Sequence, residues 1–166
     1  MPIYRFQLKS PLPIEAVTRR IQRVVREKPR FLQSIKESFG GRKISQPFIG
    51  VVTDDSFRIY RDISYRNSFL PQIKGALVTA PTGTDVSVTM SIHPLVALFM
   101  LFWLGGVGYG ALAGFASQEA RGALSLVPTG MFIFGIGLTA FGFYPEARKA
   151  RRLLEEAIAA TDSDQS

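Results

Sequence analysis

The residues of this chain that could do chemistry are mostly cations. One histidine and no cysteine leave little from which to build a thiol nucleophile, a zinc–thiolate cluster, a Ser-His-Asp triad or a His-rich metal site. Asp54, Asp55 and Asp62 lie close together in sequence, but their spacing matches no metal-binding loop, and they read as turn and strand-face residues. Two sets of basic residues remain. Arg19, Arg23 and Arg26, with Arg20 beside them, follow a helical stripe that could grip phosphates or remain a solvated face. Arg58, Arg61, Arg66, Asn67 and Ser68 gather around the segment Tyr65–Pro71. Guanidinium and amide donors there could hold an anion or a partner's carbonyls. Alternatively, Asn67 bonds its own backbone and the segment is a tightly fixed turn, which is the preferred reading. No convergent acid, base or nucleophile emerges, so no enzyme, metal or cofactor is expected.

Those residues need elements to position them. Tyr4, Phe6 and Leu8 alternate with Arg5, Gln7 and Lys9, the period of a half-buried strand. Pro11 and Pro13 break it and open a helix predicted over 13–27, with Ile14, Val17, Ile21, Val24 and Val25 on one stripe. Residues 31–39 suit a second short helix or an extended connection. Strands follow at Phe48–Val52, from Phe57 to Ile63, from Ile73 and from Val86 to Ile92, separated by turn-forming residues. Short turns between strands predict an antiparallel sheet with one wet face and the N-terminal helix over the other, an α+β arrangement.

The second half of the chain differs in kind. His93 is the only side chain from Val86 to Gln118 able to carry charge near neutral pH, and Gly122 to Pro145 has none. Windows this long and apolar predict two membrane spans, about 94–115 and 123–144, joined by a short polar loop and therefore antiparallel. His93 and Pro94 fall at the entrance to the first. The expected division is a cytoplasmic α+β domain over 1–92, a transmembrane hairpin over 93–145 and a charged tail over 146–166. In the tail, Pro145 and Glu146 open a short amphipathic helix in which Arg151 with Glu155 and Arg152 with Glu156 form opposite-charge i,i+4 pairs, and 161–166 is expected to be disordered. Residues 1–92 carry 15 Lys and Arg against 7 Asp and Glu, a net of +8, and Arg148, Lys149, Arg151 and Arg152 follow the second span. By the positive-inside rule both termini belong in the cytoplasm.

Gly106, Gly110 and Gly114 form a tandem GxxxG in the first span, a face on which helices pack closely. The expected partner is the second span, or less readily a second copy of the chain. Gly106-Val107-Gly108-Tyr109-Gly110 looks like a potassium filter, but it lies inside a span and not in a loop behind a pore helix. Trp103 falls near mid-span, where packing on the second helix would explain it.

The segment from Phe48 to Trp103 runs through Phe-x-Gly, Phe-Arg-Ile-x-Arg-x-Ile, Tyr-Arg-Asn-Ser-Phe-Leu-Pro and His-Pro before an apolar stretch with Trp. It resembles a family of small uncharacterised bacterial membrane proteins that carry a YRNSFLP-type segment before a two-helix hairpin. A looser similarity is to bacterial pleckstrin-like domains attached to membrane hairpins. The resemblance implies a fold and a location but no chemistry. Function is therefore expected to be that of a membrane-anchored, non-enzymatic interaction module, whose basic domain binds a protein partner or anionic lipid headgroups. An accessory subunit of a transporter or channel assembly is the alternative. Nucleic acid is not an expected partner, since no RNA-recognition signature accompanies the basic residues.

Overall fold

The computed structural model describes residues 2–27, 46–116 and 123–159, with side chains from 126 onward in the last stretch. The expectations for residues 31–39, for the loop at 117–122 and for 161–166 fall outside them. Chain order is β1 (Ile3–Ser10), α1 (Ile14–Val24), β2 (Val25–Glu27), β3 (Phe48–Val52), β4 (Ser56–Arg61), β5 (Gln72–Ala80), β6 (Gly83–Ser91), α2 (Pro94–Ala116) and α3 (Ala123–Ala159). The six strands form one sheet in the order β1-β6-β5-β4-β3-β2. The protein is α+β, and among the described residues two of three helices are long and apolar.

The alternation read in the sequence sets which face is buried. Tyr4, Phe6 and Leu8 on β1 stand opposite Met90, Val88 and Val86 on β6, and these face Ile73, Gly75 and Leu77 on β5. Phe57 and Ile59 on β4 continue the same layer to Phe48 and its neighbours on β3. Gly75 belongs in this layer because the Phe57 ring fills the space a side chain would need: a Cβ there would lie 2.1 Å from Cζ.

Three expectations are corrected. The first helix stops at Val24, and Val25–Glu27 becomes a short strand running parallel to β3, so the sheet is mixed. Two adjacent β-branched valines favour the extended form once an open sheet edge is there to accept them. Second, two helices cover the sheet, not one. Phe143, Ala147, Ala150, Leu154 and Ile158 of α3 share the core with Val17 and Ile21 of α1. Third, Pro145 does not begin a separate tail helix. α3 runs unbroken for 37 residues, with Pro128 and Pro145 inside it, so its first half lies with α2 and its second half completes the sheet domain.

Local chemistry explains how this second half is held. Arg20 on α1 donates to the Ile158 carbonyl at 2.8 Å, satisfying an acceptor in the last turn of α3 where cations are favoured. Arg151 donates from Nε to Glu155 at 2.6 Å and from Nη1 to the Tyr4 hydroxyl at 2.8 Å. Its guanidinium also lies 5.1 Å from the Phe6 ring centroid, within cation–π range. The predicted Arg151–Glu155 pair is present, but it helps pin α3 to β1 instead of decorating a free tail.

Candidate functional site

The Tyr65–Pro71 segment connects β4 to β5 beside α3. Arg61, the last residue of β4, points to the covered side of the sheet and pairs with the Glu146 carboxylate. The Tyr65 hydroxyl donates to the other oxygen of the same carboxylate, and Lys149 lies 3.8 Å from it. Only 6% of the Glu146 side chain and 17% of the Arg61 side chain are exposed. Burying a carboxylate without partners is costly, and here both oxygens are engaged. The bond to Glu146, followed by burial, raises the Tyr65 pKa above its usual value near 10.

Asn67 does two jobs. Its Oδ1 accepts from the Phe69 amide at 2.9 Å, the local turn bond anticipated from its residue type, while Leu70 N–H bonds back to the Asn67 carbonyl at 3.2 Å. Its Nδ2 donates to the Gly142 carbonyl at 2.9 Å. Pro145 has no N–H for the Phe141 carbonyl one turn earlier, and its ring crowds that turn. The Gly142 carbonyl is next to this gap, so Asn67 supplies a donor where the proline loosens the helix. Phe69 packs on Gly142 so closely that a Cβ would meet its Cδ2 at 2.8 Å. The arrangement is a clasp. It positions a helix.

The candidate cations are dispersed. Arg58 and Arg61, three residues apart on one strand, point to opposite faces; Arg58 is exposed on the uncovered side. Arg66 and Ser68 are exposed. Arg19 and Arg23 lie on the outer side of α1, whereas Arg26 sits on β2 with Nη2 3.7 Å from Asp62. The expected Arg19–Arg23–Arg26 stripe is thus broken where the helix ends. Asp54 and Asp55 form the β3–β4 turn, their carbonyls accepting from Thr18 at 3.1 Å and Leu77 N–H at 2.7 Å. No group of three or more possible metal ligands occurs among the described residues.

In the hairpin, the GxxxG expectation is also redistributed. Beyond Gly106 there is open space, and Gly110 makes only an ordinary contact, 3.8 Å, with Pro128. The close approaches occur elsewhere: a Cβ on Gly135 would lie 2.4 Å from Trp103, and one on Gly108 3.2 Å from Phe132. Trp103 therefore packs on the second helix, as its mid-span position suggested. His93 accepts the Leu95 amide at Nδ1, 3.2 Å away, and so caps α2. An apolar groove of about 520 Å³ runs between the helices past Met100, Leu104, Phe132 and Tyr144.

Sequence reasoning missed Glu146 as the centre of the clasp; its only local signal was being the first acid after a long charge-free run. It also missed Arg5 and Lys74, which alternation alone places on the same sheet face as Arg58.

Neither a protein-family model nor a curated protein matches the chain. Among solved structures, protein MLL2253 from Mesorhizobium loti aligns over 83% of this chain and 94% of its own, at 11% identity and a TM-score of 0.34, too loose a likeness to define a shared fold.

Proposed function

We propose that the chain is a membrane-anchored, non-enzymatic interaction module of a bacterial inner membrane, related to small proteins with the YRNSFLP-type segment. In this reading α2 and the first half of α3 span the bilayer, and the sheet domain faces the cytoplasm and engages anionic lipid headgroups. The observation that carries it is the continuity of α3, which passes from a charge-free helix directly into the domain core. Side chains on the apolar helices support it: Phe102 is 83% exposed, Leu112 72% and Phe141 82%, a surface that suits hydrocarbon and not water. Arg148, Lys149 and Arg152 then present cations on the solvent side of α3 just beyond Tyr144, where a cytoplasmic interface favours them. The buried carboxylates Asp62 and Glu146 are engaged by Arg26 and by Arg61 with Tyr65, which favours a structural role for them over acid–base chemistry.

Two measurements test this. Reporter fusions in the 117–122 loop and after Ser166 should report opposite sides of the membrane; a periplasmic C-terminus sinks the topology. The full chain in nonionic detergent should gain thermal stability from phosphatidylglycerol and not from phosphatidylcholine; equal responses would sink the headgroup reading. An accessory-subunit role is favoured by one feature, the open space beyond Gly105 and Gly106 on α2, where another helix could approach. Stoichiometric co-purification of a second membrane protein would support it.

A further inference from the structure

The face of the sheet opposite α1 and α3 carries, across β4, β5, β6 and β1, a row of cations that the fold does not use. The register aligns Arg58 on β4 with Lys74 on β5, Lys74 with Thr89 on β6, and Thr89 with Arg5 on β1. Arg5, Arg58 and Lys74 are all exposed, and none makes an ion pair or hydrogen bond among the described residues. Like charges directly opposite on neighbouring strands cost stability, and Arg58 and Lys74 are such a pair. Within the described strands, Asp85 on β6 shares this face, but its β1 neighbour is Lys9, so it leaves the row uncompensated. A groove of about 560 Å³ lies at the β4–β5 end of the row, lined there by Arg58, Tyr60, Gln72 and Lys74. Three inter-strand steps make the row roughly 14 Å long.

Its place in the chain identifies the occupant. Thr89 is five residues before Pro94, where α2 begins, so the row stands at most about 17 Å from the start of the apolar helix. The polar zone of a bilayer leaflet takes up roughly 5–8 Å of that, and long basic side chains with a screening length of about 10 Å cover the remainder.

We propose that this face is a docking surface for the phosphates of anionic glycerophospholipids, in the same leaflet that the chain's own hairpin enters. Arg58 supplies a forked pair of donors and Lys74 a point charge on the same phosphate, while Arg5 extends the surface toward a second lipid. The proposal rests on the membrane-anchored reading above and adds the site.

The test compares full-chain protein in nonionic detergent, titrated with phosphatidylglycerol or phosphatidylcholine and followed by native mass spectrometry and thermal unfolding. Three forms are needed: wild type, a row triple (Arg5→Gln, Arg58→Gln, Lys74→Gln), and a helix triple of equal charge change (Arg19→Gln, Arg148→Gln, Arg152→Gln). Wild type should prefer phosphatidylglycerol, and the row triple should lose roughly a hundredfold in its affinity, with the helix triple retaining most of it. Without lipid, Lys74→Gln should melt no lower than wild type, because it relieves like-charge repulsion. Equal loss in both triples would mean diffuse attraction, and retention in the row triple would mean binding elsewhere; either overturns the site alone. A lower lipid-free melting temperature for Lys74→Gln overturns it as well, since the cation would then serve the fold. A wild type without lipid preference overturns the site together with the reading beneath it.

Discussion

Residues 1–92 expressed alone should fail to fold, although they contain every described strand. The covered face of the sheet would lose Phe143 and Leu154, both fully buried, Ile158 at 6% exposure, and the alanines between them. Burying a Phe, Leu or Ile side chain is worth about 1.5–3 kcal/mol, so these three alone represent about 5–9 kcal/mol. The whole stability of an ordinary domain is about 5–15 kcal/mol. Truncation also removes the Arg20 cap acceptor, the Arg151 contacts and the clasp carboxylate. A single chain in which a Gly/Ser linker replaces residues 93–142 and leads into 143–159 restores all of these except the Asn67 and Phe69 contacts to Gly142. Amide dispersion in two-dimensional NMR, near-ultraviolet dichroism and cooperative thermal unfolding should be absent from the 1–92 fragment and present in the linked form. A cooperative transition in the fragment, at the same temperature as the linked form, would refute the bipartite domain.

The clasp makes further demands, all measurable on the full chain in detergent. Glu146→Ala should cost about 3 kcal/mol, the low end for breaking a buried ion pair because Arg61 retains some solvent, and Glu146→Met with Arg61→Met should recover much of it; equal losses in single and double variants would deny the pairing. Tyr65→Phe should cost about 1 kcal/mol for a hydrogen bond to a carboxylate at a partly exposed ring. Since the folded state raises the Tyr65 pKa, its contribution is complete below pH 10 and fades as pH climbs through the raised value. The stability difference between wild type and Tyr65→Phe should therefore shrink only in strong alkali, and a difference that vanished near neutrality would remove Tyr65 from the clasp. Within the hairpin, Gly135→Leu should lower the melting temperature by collision with Trp103, whereas Gly106→Leu should change it little; the reverse order would place the seam on the GxxxG face.

What could be read in the sequence was local. Period-two alternation marked the buried sides of β1, β4, β5 and β6 because each of these strands has one wet face, whereas β3 buries Phe48, Ile49 and Gly50 in succession. Charge-free length marked α2 and the start of α3. Where neighbours decide, local signals failed. Val24 and Val25 fit either a helical stripe or a strand, and only the open edge of β3 selects the strand for Val25. Pro145 looks like a helix start, yet the helix passes through it, with Asn67, 78 positions earlier, donating beside the gap. The apolar spacing of Phe143, Ala147, Ala150, Leu154 and Ile158 is visible in the sequence, but which surface it meets is not. The glycines show the same limit. Small residues allow close approach, but Trp103 and Phe132, not the GxxxG pattern, determine which glycines are approached.

The Tyr65–Pro71 segment shows how far a cluster in sequence can be from a cluster in space. Arg58, Arg61, Arg66 and Asn67 offered an anion site as the alternative to a tightly fixed turn, but strand parity sends Arg58 to one face and Arg61 to the helix-covered one. What Arg61, Tyr65, Asn67 and Phe69 grip together is α3, at Gly142 and Glu146. Those two residues are four apart and so share one side of the helix. A clasp at two levels of one helix face opposes rotation as well as separation, because turning α3 breaks the Asn67 bond and the Glu146 pair at once. The strands holding the Arg5–Arg58–Lys74 row are therefore locked in azimuth to the helix that returns from the apolar hairpin. Under the proposed topology, the row meets the bilayer surface at an angle set by the clasp. Loosening the clasp with Asn67→Ala should then weaken phosphatidylglycerol binding without removing a single cation.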